Sequence, residues 1–264
     1  HSDVFLDQPI KTLFGNDRDK STLDRYRTTG KYRHDPRLRL VEGPFSEFVS
    51  KTSGTKFDGI LVDLGVSTRQ LLDPERGFSL MGAGPLDMRM NPHQELTAQQ
   101  VVATYSESQL HRLFERYGEV TNAKTLARNL VAVRAHQHLE TTAQFKEAIR
   151  PSVKGNPNKY FAQVFQALRM EVNDELGALQ DLMHQLPEVM KPGGRVAVIT
   201  FHSIEDRIVK NFFRRGSDEA DDENPFVHNP VTPPFQAITK KPICPSAEEV
   251  RANPRSRSAK LRVA

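Results

Sequence analysis

Residues 57–64 constrain the fold more tightly than any other stretch. Phe57, Ile60, Leu61, Val62 and Leu64 form a short apolar run with β-branched members, with Asp63 near its end and Gly65 just after it. A run of this length suits a strand covered on both faces, as in a parallel sheet. A carboxylate at the carboxyl end of such a strand lies where open α/β sheets bind ligands. The residues that follow, up to Met90, lose simple periodicity. They carry Gln70, Asp73, Glu75, Arg76, Asp87 and Arg89 among Gly77, Gly82, Gly84 and Pro85. A long, polar, glycine-rich loop in that place is more often functional than idle.

The rest of the chain supports an α/β reading. Leu38, Leu40 and Val41 predict a short strand, and Phe45, Phe48 and Val49 a helical turn. Residues 97–150 predict two or three short helices. Thr97 caps the first, Leu110, Leu113, Phe114 and Tyr117 lie at helical spacing, Ala123 to Val133 forms another amphipathic face, and Thr141 or Thr142 starts the last. Phe165, Leu168, Val172, Leu176, Leu179, Met183 and Leu186 are spaced as one long amphipathic helix. Lys191-Pro192-Gly193-Gly194 is expected to stop it, and Arg195–Phe201 reads as a second buried strand. His202 follows that strand, and Ser203 with Asp206 resembles a capping box. An acidic loop is expected from Asp218 to Glu223.

Composition narrows the function classes. The 264 residues suffice for one large domain, or for one domain with an insertion. No apolar run approaches the ~20 residues of a membrane span, and no signal-peptide pattern opens the chain at His1. Cys244 is the single cysteine, which excludes an internal disulfide or a cysteine-built metal site and fits a reducing compartment. The histidines show no ligand spacing. The net charge is +4, and the basic residues cluster in two places, 18–39 and 251–262. Each cluster reads either as a solvated face or as a surface for a polyanion.

Asp63 and His202, each at the end of a predicted strand, suggest one cleft at the carboxyl edge of one sheet. The plainer alternatives are a turn carboxylate and a loop histidine. Asp17 and Asp19 precede a helix, where an acid can hold a ribose hydroxyl pair or simply form a charged turn. The Pro-Gly-Gly turn feeding a late strand is frequent in class I methyltransferases. Phosphate-cradling glycine loops and nucleophile elbows are absent from the sequence.

The segments FDGILVDLGVSTRQLLDPERGFS, GPLDMRM, FQALRMEVNDEL and PGGRVAVITFHSIEDRIVK resemble the RsmH (MraW) family, and the likeness runs essentially end to end. That family's members are S-adenosylmethionine-dependent enzymes that methylate the exocyclic N4 of a cytidine in 16S ribosomal RNA. The resemblance implies a Rossmann-like class I methyltransferase domain at 1–94 and 158–264, with an inserted helical RNA-recognition domain at 95–157. It implies that Asp17, Phe45, Asp63 and Gln70 contact the cofactor and that GPLDMRM closes toward the RNA. Asp63 and His202 are candidate catalytic residues, with Asp63 lining the methyl site and His202 or Ser203 orienting the base. Asp87, Arg89, Arg169, Ser203 and Arg207 are candidate RNA contacts, unless the arginines pair internally with Asp87, Glu171 and Asp206. The implied setting is the small ribosomal subunit in the cytoplasm, with a homodimer suggested. Rival readings are an amino-methyltransferase acting on another nucleic acid, or a non-catalytic RNA-binding factor.

One departure from the family pattern carries its own expectation. The family's first strand and its glycine-rich loop belong between a short lead-in segment, residues 3–14, and Asp17, but Phe14 is followed at once by Gly15-Asn16-Asp17. A βαβ unit needs roughly 30 residues. A break in the main chain is therefore expected near residues 13–16, the alternative being a protein that has lost its cofactor loop.

Overall fold

The computed structural model describes residues 10–52, 54–217 and 232–264. It divides into two compact units. One joins His1–Gly65 to Leu176–Ala264, and the other is Val66–Glu175.

In the first unit, β1 (Leu13–Asp17) pairs in parallel with β2 (Leu38–Glu42), residue for residue from Leu13 opposite Leu38 to Asp17 opposite Glu42. All five residues of β1 are held in the ladder, so residues 13–16, where a break was expected, form part of one paired strand. Asp17-Arg18-Asp19 leads directly into α1 (Lys20–Thr29), and the Asp19 side chain caps that helix by accepting from the Ser21 N–H. No glycine-rich loop intervenes. A 3-10 turn at Phe45–Glu47 and the short α2 (Phe48–Lys51) lead to β3 (Phe57–Asp63). The ring of Phe14 on β1 meets those of Phe48 and Phe57 edge-on, with centroids 6.3 and 5.4 Å apart.

β3 is less covered than its apolar run predicts. Val62 is buried, but Leu61 is 40% exposed. Among the described residues β3 has a single strand neighbour, because β1 pairs only with β2. A strand flanked on one side keeps more of its surface in water than an interior strand does.

The second unit begins with α3 (Thr68–Leu72) and holds α4 (Ala98–Thr104), α5 (Glu107–Arg116), α6 (Ala123–Arg134), α7 (Thr142–Ile149) and α8 (Pro157–Asn173). Ser67, Thr97, Ser106 and Thr141 each form a capping box with a glutamine three residues on, satisfying two otherwise orphan N–H groups per helix start. The unit is wider than the expected 95–157 block. Phe78, Leu86, Met88 and Met90 from the preceding loop share one core with Leu110, Phe114, Leu126 and Phe145 of the helices, and with Phe165 of α8. Each such side chain contributes roughly 1.5–3 kcal/mol by leaving water. Gly77 and Gly84 let the loop's two limbs close on each other. A Cβ on Gly84 would lie 1.8 Å from the Pro74 carbonyl oxygen, and one on Gly77 2.2 Å from that of Pro85.

The long helix expected across 165–186 is two helices, α8 and α9 (Glu175–Val189). Asp174 takes a left-handed conformation with φ 45° between them, which ends α8 without breaking the hydrophobic spacing. α9 runs into β4 (Met190–Thr200), so the Lys191-Pro192-Gly193-Gly194 turn lies inside that strand. The register jumps there: Phe57 pairs with Met190 and Gly59 with Arg195, a bulge that absorbs the extra residues. α10 (Ser203–Arg215) follows β4. After the described chain resumes at 232, α11 (Ala247–Ala252) precedes β5 (Lys260–Val263), which adds antiparallel to β4. The expected acidic loop from Asp218 to Glu223 lies outside the described residues.

A buried ion pair ties β5 to α10. Arg262, 5% exposed, donates from Nε to Asp206 Oδ1 at 2.7 Å and from Nη2 to Oδ2 at 3.1 Å. Burial pushes the Asp206 carboxyl up, but the hydrogen bond and charge of Arg262 outweigh it and leave the group below the ordinary value. A carboxyl lowered by folding adds stability above its unfolded pKa, and that stability is lost as pH falls through the folded value. Arg262→Met should therefore cost about 2 kcal/mol near neutral pH in urea unfolding, since it leaves the buried Asp206 carboxylate with only the longer contact from Lys260 at 3.5 Å. The gap between variant and parent should close below about pH 4; a gap that persisted undiminished in acid would contradict the pairing.

Candidate functional site

The parallel pairing of β3 with β4 builds one ligand-facing edge in the first unit. Asp63 sits opposite Ile199, and the Leu64 N–H donates to the Ile199 carbonyl at 3.1 Å, extending the ladder past the end of β3. Asp63 and the Phe201-His202 corner thus leave the same sheet at the same edge. Gly65 turns away with φ 88°, and its vacant Cβ position is 3.7 Å from the Phe201 ring. Burial pushes the Asp63 carboxyl up first, and the negative charge of Glu205 pushes it in the same direction. The residue as a whole is exposed, so this partly desolvated carboxyl still reaches water.

His202 faces inward. It is the N-cap of α10, and Nδ1 accepts from the Glu205 N–H at 3.4 Å. That bond leaves the ring proton on Nε2, which lies 3.0 Å from Glu205 Oε1 with the imidazole side chain 10% exposed. The approach is close but poorly aligned, and Nε2 has no hydrogen-bond partner of good geometry among the described residues. A histidine held in this way orients the start of a helix more readily than it shuttles protons. Glu205, 2% exposed, accepts from the Phe201 N–H at 2.9 Å and closes the corner from below. The sequence pattern assigned the capping box to Ser203 and Asp206. The cap is instead His202 with Glu205, one residue earlier, while Asp206 is committed to Arg262. Ser203 and Arg207 are exposed on α10.

Asp17 ends β1 in the neighbouring sheet. Burial raises its carboxyl above the usual value, opposed by a hydrogen bond from the Asp19 N–H at 2.8 Å. Phe45 is half-buried just after β2. The carboxyl ends of β1 and β3 therefore each offer a carboxylate. Such a donor set fits a ligand with vicinal hydroxyls and a positive charge, the features of the ribose and sulfonium of S-adenosylmethionine. A glycine turn that would let the main chain approach that ligand is missing between β1 and α1 among the described residues.

The remaining candidates belong to the second unit. Gln70 is buried, and its side-chain carbonyl accepts from the Ser67 N–H at 3.0 Å in the cap of α3. Arg89 grips Asp87 with Nε at 3.0 Å and Nη2 at 2.7 Å, and its Nη1 donates to the Gln94 carbonyl at 2.7 Å. In GPLDMRM, Leu86, Met88 and Met90 alternate into the core, so the segment is pinned there. Asn173, which sequence reasoning passed over, fastens it by donating to the Met88 carbonyl at 2.8 Å and accepting from the Met90 N–H at 2.7 Å. Arg169 pairs with Glu175 at 2.8 Å rather than with Glu171, while Glu171 accepts from the Tyr105 hydroxyl at 2.7 Å. Among the described residues no cluster of three histidine, cysteine or acidic side chains is placed to hold a metal, and no helix is long and apolar enough to cross a membrane.

Comparison with known proteins adds a family. The model of the MraW methylase family matches residues 1–264. The "Ribosomal RNA small subunit methyltransferase H" of Amoebophilus asiaticus is 46% identical over 234 residues, covering 87% of this chain and 75% of the relative. Its namesake from Cytophaga hutchinsonii is 41% identical over 256 residues, 96% of this chain and 84% of the relative. That from Elusimicrobium minutum is 48% identical over 208 residues, 78% of this chain and 67% of the relative.

The electrostatics at the β3–β4 edge can be checked directly. Because the Glu205 charge helps to hold Asp63 up, Glu205→Gln should lower the Asp63 titration midpoint toward the ordinary carboxylate value. Side-chain carboxyl NMR reads this shift; an unchanged or higher midpoint would contradict the coupling.

Proposed function

The chain belongs to the MraW methylase family and is a methyltransferase, and from this premise we propose that it methylates the exocyclic N4 of a cytidine in small-subunit ribosomal RNA, using S-adenosylmethionine. The observation that carries the reading is the parallel register that sets Asp63 opposite Ile199, so that Asp63 and the Phe201-His202 corner leave one edge of a Rossmann-like sheet. Asp17 holds the ribose hydroxyls, Phe45 packs beside the adenine, and Asp63 lines the methyl site. The methyltransferase names belong to the relatives; their ribosomal substrate comes to this chain as part of the proposal, as does a cytoplasmic setting on the small subunit.

S-adenosylmethionine, when bound, supplies an electrophilic methyl group on a sulfonium. The chain's own task is to present the amino nitrogen in line and to take up a proton. The cytosine amino lone pair is delocalised into the ring, so orientation matters more here than for an ordinary amine. A carboxylate at Asp63 can accept a hydrogen bond from the amino N–H, which localises the lone pair. It can then take the proton as the nitrogen becomes positive. Its raised proton affinity suits that work better than an ordinary aspartate would. His202 and Glu205 act as positioning residues that fix the corner opposite Asp63. A paired base cannot reach such an edge, so the target is an unpaired or flipped-out nucleotide.

A second reading has one observation in its favour, the direct passage of β1 into α1 without a glycine turn. It describes an RNA-binding protein with little affinity for the cofactor. Calorimetry of the full chain with S-adenosylmethionine separates the two readings, since heat of binding is expected only from an enzyme. Asp17→Ala should weaken cofactor affinity about tenfold or more through loss of a charged hydrogen bond. Asp63→Asn should retain affinity and lose about 100-fold or more in turnover on small ribosomal subunits. Parental turnover in Asp63→Asn would remove that carboxylate from the chemistry.

A further inference from the structure

The basic stretch at 18–39 is used by none of the chemistry above. It holds eight lysines and arginines against three aspartates, a net of +5, which exceeds the +4 of the whole chain. The second unit, residues 66–175, holds thirteen basic and twelve acidic residues, a net of +1. A polyanion is attracted by local excess charge, so the two regions differ sharply in what they offer it.

Each of the three aspartates in the stretch is already engaged. Asp19 is 1% exposed and caps α1. Asp24 pairs with Arg27 at 2.9 Å, and Asp35 pairs with Arg37 at 2.7 Å. Lys20, Arg25, Arg33 and Arg39 remain exposed, and none is within salt-bridge distance of a carboxylate among the described residues. Arg39 lies over the Phe14 ring, 5.6 Å from its centroid. Leu23 is the one buried residue of α1, so the helix is anchored by one side chain and displays the rest. The exposed face has hydroxyls at Ser21, Thr28 and Thr29 and carries no large apolar side chain. A membrane-surface helix needs an apolar face to insert, and this one has none. The stretch also starts at the candidate site, because α1 opens three residues after Asp17.

We propose that α1 and the loop from it to β2, through Lys20, Arg25, Arg33 and Arg39, form the surface that docks the phosphate backbone of the RNA, a task the near-neutral helical unit does not perform. The proposal rests on the reading of RNA as the substrate. These cations set register and affinity, while base recognition falls to other groups.

The test is equilibrium binding of the full chain to a fluorescent single-stranded fragment of small-subunit ribosomal RNA, across about 50 to 200 mM salt. Removing four phosphate contacts by Lys20→Gln, Arg25→Gln, Arg33→Gln and Arg39→Gln together should flatten the slope of log affinity against log salt by about 3. Affinity at the low-salt end should fall about tenfold or more. Exchanging lysine and arginine at the same four positions should preserve the slope and control for folding. A matched set in the helical unit, Lys124→Gln, Arg128→Gln, Lys154→Gln and Lys159→Gln, should leave the slope as it is. A slope unchanged by the first set, or flattened by the matched set instead, overturns the proposal while leaving RNA as the ligand. A parent chain that binds anionic lipid vesicles but not RNA overturns the proposal together with the reading beneath it.

Discussion

The parallel register between β3 and β4 is the constraint on which the first unit depends. It sets Asp63 opposite Ile199 and so fixes which residues leave the sheet beside one another. A slip of one residue would turn Asp63 to the other face and expose Val62 in its place. The bulge at 190–195 makes this register compatible with α9 running straight into β4, because it absorbs the Pro-Gly-Gly residues before the paired segment begins. On the far side of β4, β5 and the Arg262–Asp206 pair hold the base of α10. His202 and Glu205 then complete the corner from the first turn of that same helix.

Charge is divided unevenly over the chain, and the division has a mechanical logic. In the second unit the conspicuous ions neutralise one another locally: Asp87 with Arg89, Glu147 with Arg150, and Arg169 with Glu175. Those pairs leave little net field, and the unit's stability comes from the core that the loop at 78–90 shares with its helices. The stretch at 18–39 does the opposite, since its few acids are committed to a cap and two local pairs while several cations stay in water. A methyltransferase acting on RNA needs both a precise pocket and a diffuse attraction, and the two can be built from different parts of a chain.

Much of this was legible in the sequence where a local rule has one strong solution. The apolar run at 57–64 identified a strand with Asp63 near its end, and Thr97 and Thr141 or Thr142 marked helix starts because a threonine side chain can accept from the first free N–H groups; the fold selects Thr141 and adds the glutamines that complete both capping boxes. The failures have physical causes. Hydrophobic spacing cannot register a single left-handed residue, so Asp174 split a helix whose apolar periodicity runs on unbroken. An apolar run reports a tendency to be buried and says nothing of whether a neighbour is present, which is why Leu61 stands exposed. Glu205 escaped notice because Asp206 beside it fitted the same capping pattern, and only the fold reveals which of the two Arg262 claims. Asn173 is distant in sequence from the loop it pins. Of the internal partners that the sequence offered the arginines, Asp87 is the one Arg89 takes, whereas Arg169 pairs with Glu175, which lies beyond the turn at Asp174 that hydrophobic spacing could not register.

The central claim is that this chain, with β1 passing directly into α1, still transfers a methyl group to a cytidine amino nitrogen. The direct measurement is mass-spectrometric analysis of nucleosides from small ribosomal subunits lacking the modification, incubated with the purified chain and isotope-labelled S-adenosylmethionine. The account predicts labelled N4-methylated cytidine at one position of the RNA. Label on another atom or base, or no label despite cofactor binding, would contradict it.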